Sequence, residues 1–300
     1  MNVVRLMGGL GNQMFQYAFG RRMAVEFGIP VQFDTTNGFR RDPYGRRFSL
    51  GAFKTTVVQA GDQDIPLGMD WTSPWHRVAK AGWTCMPPSL RRVVYEKKPF
   101  QYDKDVWGTL RNSAYYVGYW QQEGWFSPIS NLLRKEFVLR DSCREEVLGA
   151  MKQMEQCNSI SIHLRSYQDM GANGKLIQQT RKYHEPCSLE YYARAVDRIG
   201  CSSGTVGFVF SDHPRWAKER LNLPIPCHHV SDMCPCSDVE EMMMMASCNH
   251  HVISNSTFSW WGAWLGRNVG KVVVAPKIWI RGVPEKDVDV CPPEWVRLEA

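Results

Sequence analysis

With 300 residues, 44% of them hydrophobic and 12% aromatic, the chain can fill two cores of ordinary size and is too apolar for a disordered protein. Its formal charge of +6 is mild for this length, and the basic residues fall in scattered pairs such as Arg21-Arg22, Arg40-Arg41, Arg46-Arg47 and Lys97-Lys98. That distribution suits a site for a small anionic ligand and argues against a nucleic-acid surface, while peripheral membrane contact stays compatible with it. Residues 1–10 lack a basic lead, a long apolar core and a cleavage motif, and no apolar run reaches about 18 residues. No signal peptide or membrane span is therefore expected, and the ten cysteines read as free thiols of a cytoplasmic protein.

In chain order, residues 3–7 read as a strand, Gly8-Gly9-Leu10-Gly11-Asn12-Gln13 as a loop, 14–27 as a helix and 29–34 as a second strand. This is a βαβ opening. Residues 35–110 have weak periodicity and suggest helices separated by loops. Residues 114–120 form a β-rich run and 125–136 a helix with Pro128 in its first turn. A second series follows: helix 144–156, strand 159–164, helix 189–199, strand 206–212, helices 214–221 and 238–247, and strands 251–253 and 271–275. Strands alternating with helices in both halves predict an α/β fold of two doubly wound, Rossmann-like domains, 1–150 and 151–300.

Ligands of open α/β sheets bind beyond the carboxyl ends of the strands, so chemistry is sought there. Gly9 and Gly11 permit close backbone approach, and Asn12 and Gln13 add side-chain donors and acceptors at the helix start. Met14 occupies the third glycine position of a dinucleotide fingerprint, which excludes that motif; the plain alternative is a tight turn. His163 and Arg165 end a buried strand on one face, and Arg grips phosphate oxygens in bidentate fashion. The plain alternative is a core histidine and a surface ion pair. Asp212 ends another strand and suits the two-donor edge of guanine, or else serves to cap the helix beginning at Pro214.

The segment Ser254-Asn255-Ser256-Thr257-Phe258-Ser259-Trp260-Trp261-Gly262-Ala263-Trp264 places hydroxyls and amides where a strand turns into a helix. The first N–H groups of a helix lack partners, so such a turn cradles anions. An ordinary cap before an aromatic core helix is the simpler reading of the same residues. Among the cysteines and histidines of 227–251, Cys234-Pro235-Cys236 lacks the gap of a structural zinc site, and no metal is expected. Asp287-Val288-Asp289 reads as a solvated turn, and Met242 to Met245 as adaptable helix packing.

Taken in order, Met7-Gly8-Gly9-Leu10-Gly11-Asn12-Gln13-Met14-Phe15-Gln16-Tyr17-Ala18, His163-Leu164-Arg165, Phe210-Ser211-Asp212, 254–265 and Ala275-Pro276-Lys277-Ile278-Trp279 resemble the bacterial α-1,2-fucosyltransferases of glycosyltransferase family 11. The likeness covers nearly the whole chain. The family's His-x-Arg-Arg-Gly-Asp-Tyr is altered here: Ser166 stands for the second Arg, and the acidic residue comes one place late, at Asp169.

The resemblance implies a GT-B-like pair of Rossmann-like domains facing a cleft, the first on the acceptor side and the second binding GDP-β-L-fucose. It implies inverting, metal-independent transfer to the 2-hydroxyl of a terminal β-galactose on an oligosaccharide or surface glycan. GDP-fucose is then a substrate and no cofactor is needed. Arg165, His163 and Asn12 would be catalytic. Gly9, Gly11, Asn12, His163, Arg165, Asp212, Asn255, Ser256, Thr257 and Phe258 would hold the donor, with Asp169 and Gln13 as further candidates. The alternatives are another fucosyl linkage, α-1,6 or to protein, and an idle nucleotide-sugar or glycan binder. The expected location is the cytoplasm or the inner face of its membrane.

Overall fold

The computed structural model describes residues 1–66, 68–69, 75–86, 92–108, 110, 113–167 and 184–300. It parts into two compact units, residues 1–140 and 141–300. The division expected after residue 150 comes ten residues too late. The helix Glu145–Gln156 buries Val147, Ala150 and Met154 among Phe208, Phe210, Met244 and Met245, so it belongs whole to the second unit.

The first unit is a four-stranded parallel sheet in the order β2-β1-β4-β3, built from β1 (Asn2–Arg5), β2 (Val31–Asp34), β3 (Val93–Tyr95) and β4 (Tyr115–Val117). Its helices are α1 (Leu10–Phe27), α2 (His76–Cys85), α3 (Lys104–Gly108) and α4 (Ser130–Glu136). α1 buries Met14, Phe15, Tyr17, Ala18, Phe19 and Met23 against the sheet and ends at Gly28 in the left-handed region (φ 64°). It begins four residues before the expected start, because the Gln13 N–H already donates to Gly9 O (3.1 Å). Gly11, Asn12 and Gln13 therefore lie in its first turn and not in a loop. The run expected as strand to residue 120 stops at Val117. There the chain turns through Gly118, and Trp120 takes φ 55° with its ring stacked on Phe19 at 4.0 Å. The helix expected from residue 125 starts at Ser130, after two short 3-10 turns.

The second unit is a six-stranded parallel sheet of β5 (Asn158–Leu164), β6 (Thr205–Ser211), β7 (Cys227–His229), β8 (His250–Val252), β9 (Val273–Pro276) and β10 (Val296–Leu298). Its helices are α5 (Glu145–Gln156), α6 (Leu189–Ile199), α7 (Pro214–Arg220), α8 (Val230–Met233), α9 (Asp238–Ser247) and α10 (Thr257–Leu265). One face of the sheet packs Ile160, Ile162 and Leu164 against Tyr191, Tyr192, Ala195 and Val196 of α6. The other packs Phe208 and Phe210 against α5 and α9. A parallel sheet needs this cover on both faces. The strand order β10-β9-β8-β5-β6-β7 reverses direction between β5 and β8. That is the dinucleotide-fold order, and its crevice opens at the carboxyl ends of the two strands flanking the reversal. β3, β7 and β10 were not expected from sequence; each has three residues.

Candidate active site

Arg165 follows β5 directly, at the reversal. Its Nη1 lies 3.1 Å from Asp212 Oδ2, just beyond β6. The Ser166 N–H donates to Asp212 Oδ1 (2.8 Å) and its hydroxyl to Oδ2 (3.1 Å). The guanidinium also sits 5.4 Å from the centre of the Tyr167 ring, and Tyr167 holds φ 51°. The Tyr167 hydroxyl donates to the Asn255 carbonyl (2.6 Å) and to its side-chain oxygen (3.0 Å). Asn255 Nδ2 in turn donates to Glu185 O and Trp279 O. The result is a brace that fixes one planar cation at the mouth of the crevice. Ser166, which departs from the family pattern, is part of it.

These contacts bear on two residues singled out from the sequence. Asp212 was expected to meet guanine or to cap α7, but its carboxylate is engaged by Ser166 and Arg165. The cap of α7 is His213, which accepts from the Trp216 N–H. Asn255 was expected among the residues that hold the donor. Its side-chain amide is committed at both ends to protein partners, and the residue is buried.

His163, the sixth residue of β5, is buried; its Nδ1 shares a hydrogen bond with Ser254 Oγ (2.9 Å) and its ring lies 5.8 Å from that of Phe258. Burial, reinforced by the charge of Arg165, lowers its pKa to about 3. The ring is therefore neutral at physiological pH. It has the bonding of a satisfied core histidine while also touching the residues that open α10.

Ser256 is the N-cap residue of α10 yet makes no side-chain cap bond, and no acidic residue lies in the first turn. Its own N–H donates to Ser254 O (2.8 Å). Thr257 and Phe258 open the helix, so a first turn with partial positive charge faces the crevice beside Arg165. Trp260, Trp261 and Trp264 are buried and pack edge-to-face and stacked upon one another. Trp260 Nε1 donates to Val290 O (3.0 Å), which fixes the helix from below.

One residue of this region was missed. α9 carries a capping box in which Ser237 and Glu240 satisfy each other's backbone donors. Glu241 takes no part in it, and its carboxylate has no hydrogen-bond partner among the described residues. Burial, with Asp238 adding, pushes its pKa up to about 7. A Cβ on Gly262 would lie 2.9 Å from Met245 Cβ, so α9 and α10 touch there. Both helices are crossovers of a parallel sheet and run in the same sense. The clue in the sequence is the pair Glu240-Glu241 behind a Ser-x-x-Glu box, with one acid accounted for and one not.

The first unit holds the remaining expected residues. Gly8 takes φ 78°, and a Cβ there would meet Asn12 Nδ2 at 2.6 Å. Gly9 caps α1 with no side chain to give, and the first turn again has no acid. Gly11 is buried within that turn. Asn12 Oδ1 accepts from Gln121 Nε2 (2.8 Å). Gln13 does not reach toward a ligand: Nε2 donates to Gly8 O (3.0 Å) and Arg47 O (2.9 Å), and Oε1 accepts from the Ser49 N–H (2.9 Å). It is a fully buried tie between the helix and residues 47–49. Asp169 lies outside the described residues. All ten cysteines are unpaired, and no helix among the described residues is long and apolar enough to cross a membrane.

Known proteins match this chain at several levels. An Escherichia coli alpha-1,2-colitosyltransferase is 29% identical, over 99% of this chain and 98% of its own length. The Escherichia coli O-antigen biosynthesis glycosyltransferase WbnK is 26% identical, over 92% and 94%. The fucosyltransferase NodZ from Bradyrhizobium superposes with a TM-score of 0.46 at 13% identity, covering 87% of this chain and 91% of that one. That superposition is loose, and the α/β assignment rests on the two parallel sheets themselves. Residues 95–299, more than half of the chain, match Glycosyl transferase family 11. They run from the end of β3 through both strands of the reversal to β10, and the chain belongs to that family.

Proposed function

We propose that the protein transfers L-fucose from GDP-β-L-fucose to the 2-hydroxyl of a terminal β-galactose, with inversion and without a metal. The observation that carries this reading is the braced Arg165 beside the acid-free, side-chain-uncapped start of α10. In the reaction the galactose oxygen bonds to fucose C1 as the C1–O bond to GDP breaks, its electron pair leaving with the diphosphate. Arg165 and the N–H groups and hydroxyls of Ser256 and Thr257 stabilise that growing charge, as preorganised donors do elsewhere. Glu241 accepts from the two donors of guanine, a role its unengaged carboxylate fits better than Asp212. Neutral His163 holds Ser254 at the head of the turn. The first unit, with Gly9, Gly11 and Asn12 at its glycine-rich helix start, takes the galactose-terminated acceptor.

The 2-linkage is supported by the relative named for α-1,2 transfer. That name also favours a second reading, in which colitose is the sugar moved. Incubation of the chain with lactose and either GDP-fucose or the corresponding colitose donor, followed by linkage analysis, tests both. A 2-linked fucosyl product is expected. Product from the colitose donor alone selects the second reading, and no 2-linked product from either donor refutes the proposal.

A further inference from the structure

The transfer releases a proton from the acceptor hydroxyl, and two groups of the second unit near the crevice are already engaged. His163 is buried and bonded to Ser254, and Asp212 is engaged by Arg165. Among the described residues of the first unit, Asp34, Asp42 and Glu96 are carboxylates near the carboxyl ends of the strands. Asp34 is buried and accepts from the Tyr115 and Thr36 hydroxyls, from the Thr36 and Asn37 N–H groups and from Asn37 Nδ2, and its pKa is lowered. Asp42 accepts from the Tyr44 and Arg46 N–H groups and pairs with the Arg46 guanidinium (3.9 Å). Both carboxylates are thus taken up by protein donors.

Glu96 differs. It follows β3 directly, with its N–H donating to Val117 O (2.9 Å), and it is half-buried. The Tyr119 N–H donates to Oε2 (2.8 Å) and the Trp120 N–H to Oε1 (3.0 Å). The turn that supplies these amides is pressed onto the carboxylate, since a Cβ on Gly118 would lie 2.5 Å from Glu96 Cβ. The same turn leads to Gln121, which bonds Asn12. Glu96 is thus fixed in direction, half-buried, and at the same end of the sheet as the glycine-rich helix start. We infer that Glu96 is the base that accepts the proton of the attacking acceptor hydroxyl, an assignment that rests on the function proposed above.

The step balances: the O–H pair stays on the acceptor oxygen and forms the new bond to fucose C1, the proton goes to a Glu96 oxygen, and GDP leaves with the C1–O pair. No ion pair links Glu96 to another described residue. The titratable groups facing it are the Tyr119 phenol and, beyond that phenol, Arg46, Asp42 and Tyr44; Lys97 and Lys98 follow it along the chain and are exposed. Burial outweighs the two amide bonds and brings its pKa up to about 7. A base poised near the working pH is the efficient choice.

Glu96→Gln tests this. Transfer to lactose and GDP affinity are measured for both proteins from about pH 5.5 to 9. Wild-type kcat is expected to rise with pH through one ionisation near 7. The variant should lose about 100-fold or more in kcat, bind GDP within about twofold, and show a flat acid side. Transfer within about tenfold of wild type, or residual activity that keeps the acid limb, overturns the inference. Because Glu96 also holds two amides, Glu96→Ala is assayed with added formate. Restored transfer supports the base role, and no restoration in a folded, GDP-binding variant rejects it. A wild-type chain that transfers nothing from GDP-fucose refutes instead the function on which the inference rests.

Discussion

The starts of α10 and α1 are built differently from that of α9. α9 opens on Ser237, whose hydroxyl accepts from the Glu240 N–H, with Asp238, Glu240 and Glu241 in its first turn. Its positive end is met from within. α10 opens on Ser256 and α1 on Gly9, with no side-chain cap bond and no acid in either first turn. Doing without the side-chain cap bond costs about 1 kcal/mol relative to a good cap. A start without acid or side-chain cap bond, as in α10, is where the proposed function seats the diphosphate. The comparison separates polar residues that face a ligand from those that hold the chain.

The largest effect should follow removal of the cation. Arg165→Ala is expected to lower kcat about 100- to 1000-fold with the fold intact, since the arginine acts on leaving-group charge. Circular dichroism and GDP calorimetry monitor the fold. Arg165→Lys should recover only part of the loss, because Lys lacks the planar fork that meets Asp212 and phosphate together. Near-normal turnover of a folded Arg165→Ala variant removes Arg165 from the site.

Gln13 provides the opposite case in the first unit. Gln13→Leu strands Gly8 O, Arg47 O and the Ser49 N–H, and should cost about 3 kcal/mol in denaturant unfolding. GDP affinity of the folded fraction should stay close to wild type. A stable variant with weakened GDP binding would return Gln13 to the ligand-facing group.

Much of this was legible where signals are local. β5, α6, α9 and the turn into α10 each carry their own periodicity and end signal, so strand-end residues such as Arg165 and Ser256 could be singled out. β3, β7 and β10 have three residues each and no longer run to mark them; β4 and β8 are as short, but β4 lies in the aromatic run 114–120 and β8 leads into the turn before α10. The misreadings share one cause, which is distance along the chain. Asp212 is engaged by Ser166, 46 residues earlier, and Gln13 by Ser49, 36 residues later. A polar side chain at a strand end looks the same whether its partner is a ligand or a remote stretch of backbone. Glu241 was hidden for a different reason, since its neighbour Glu240 completes a capping box that explains an acid there.

Buried histidines of the second unit should appear in stability against pH. His163 and His251 are both pushed down to about 3 by burial. Their folded values lie below the unfolded value of about 6.5, so the unfolded chain binds more protons between those limits. Stability is then full above pH 6.5 and falls on acidification, by about 2.7 kcal/mol per pH unit for the two together. His251→Leu, which removes one of the two, should leave about half that slope. A slope unchanged by the variant would mean that His251 does not titrate on unfolding.

The smallest effect is the most direct test of the two kinds of helix start. Ser256→Ala removes a hydroxyl that caps nothing, so melting temperature should hold while GDP affinity falls about fivefold, the worth of one neutral hydrogen bond. Ser237→Ala removes a hydroxyl that accepts from the Glu240 N–H and should cost about 1 kcal/mol of stability with GDP affinity unchanged. Thermal melts and calorimetry on the pair read both quantities. If Ser256→Ala destabilises like Ser237→Ala and binds GDP as wild type does, the start of α10 is an ordinary cap, and the charge on the diphosphate must be met by Arg165 without it.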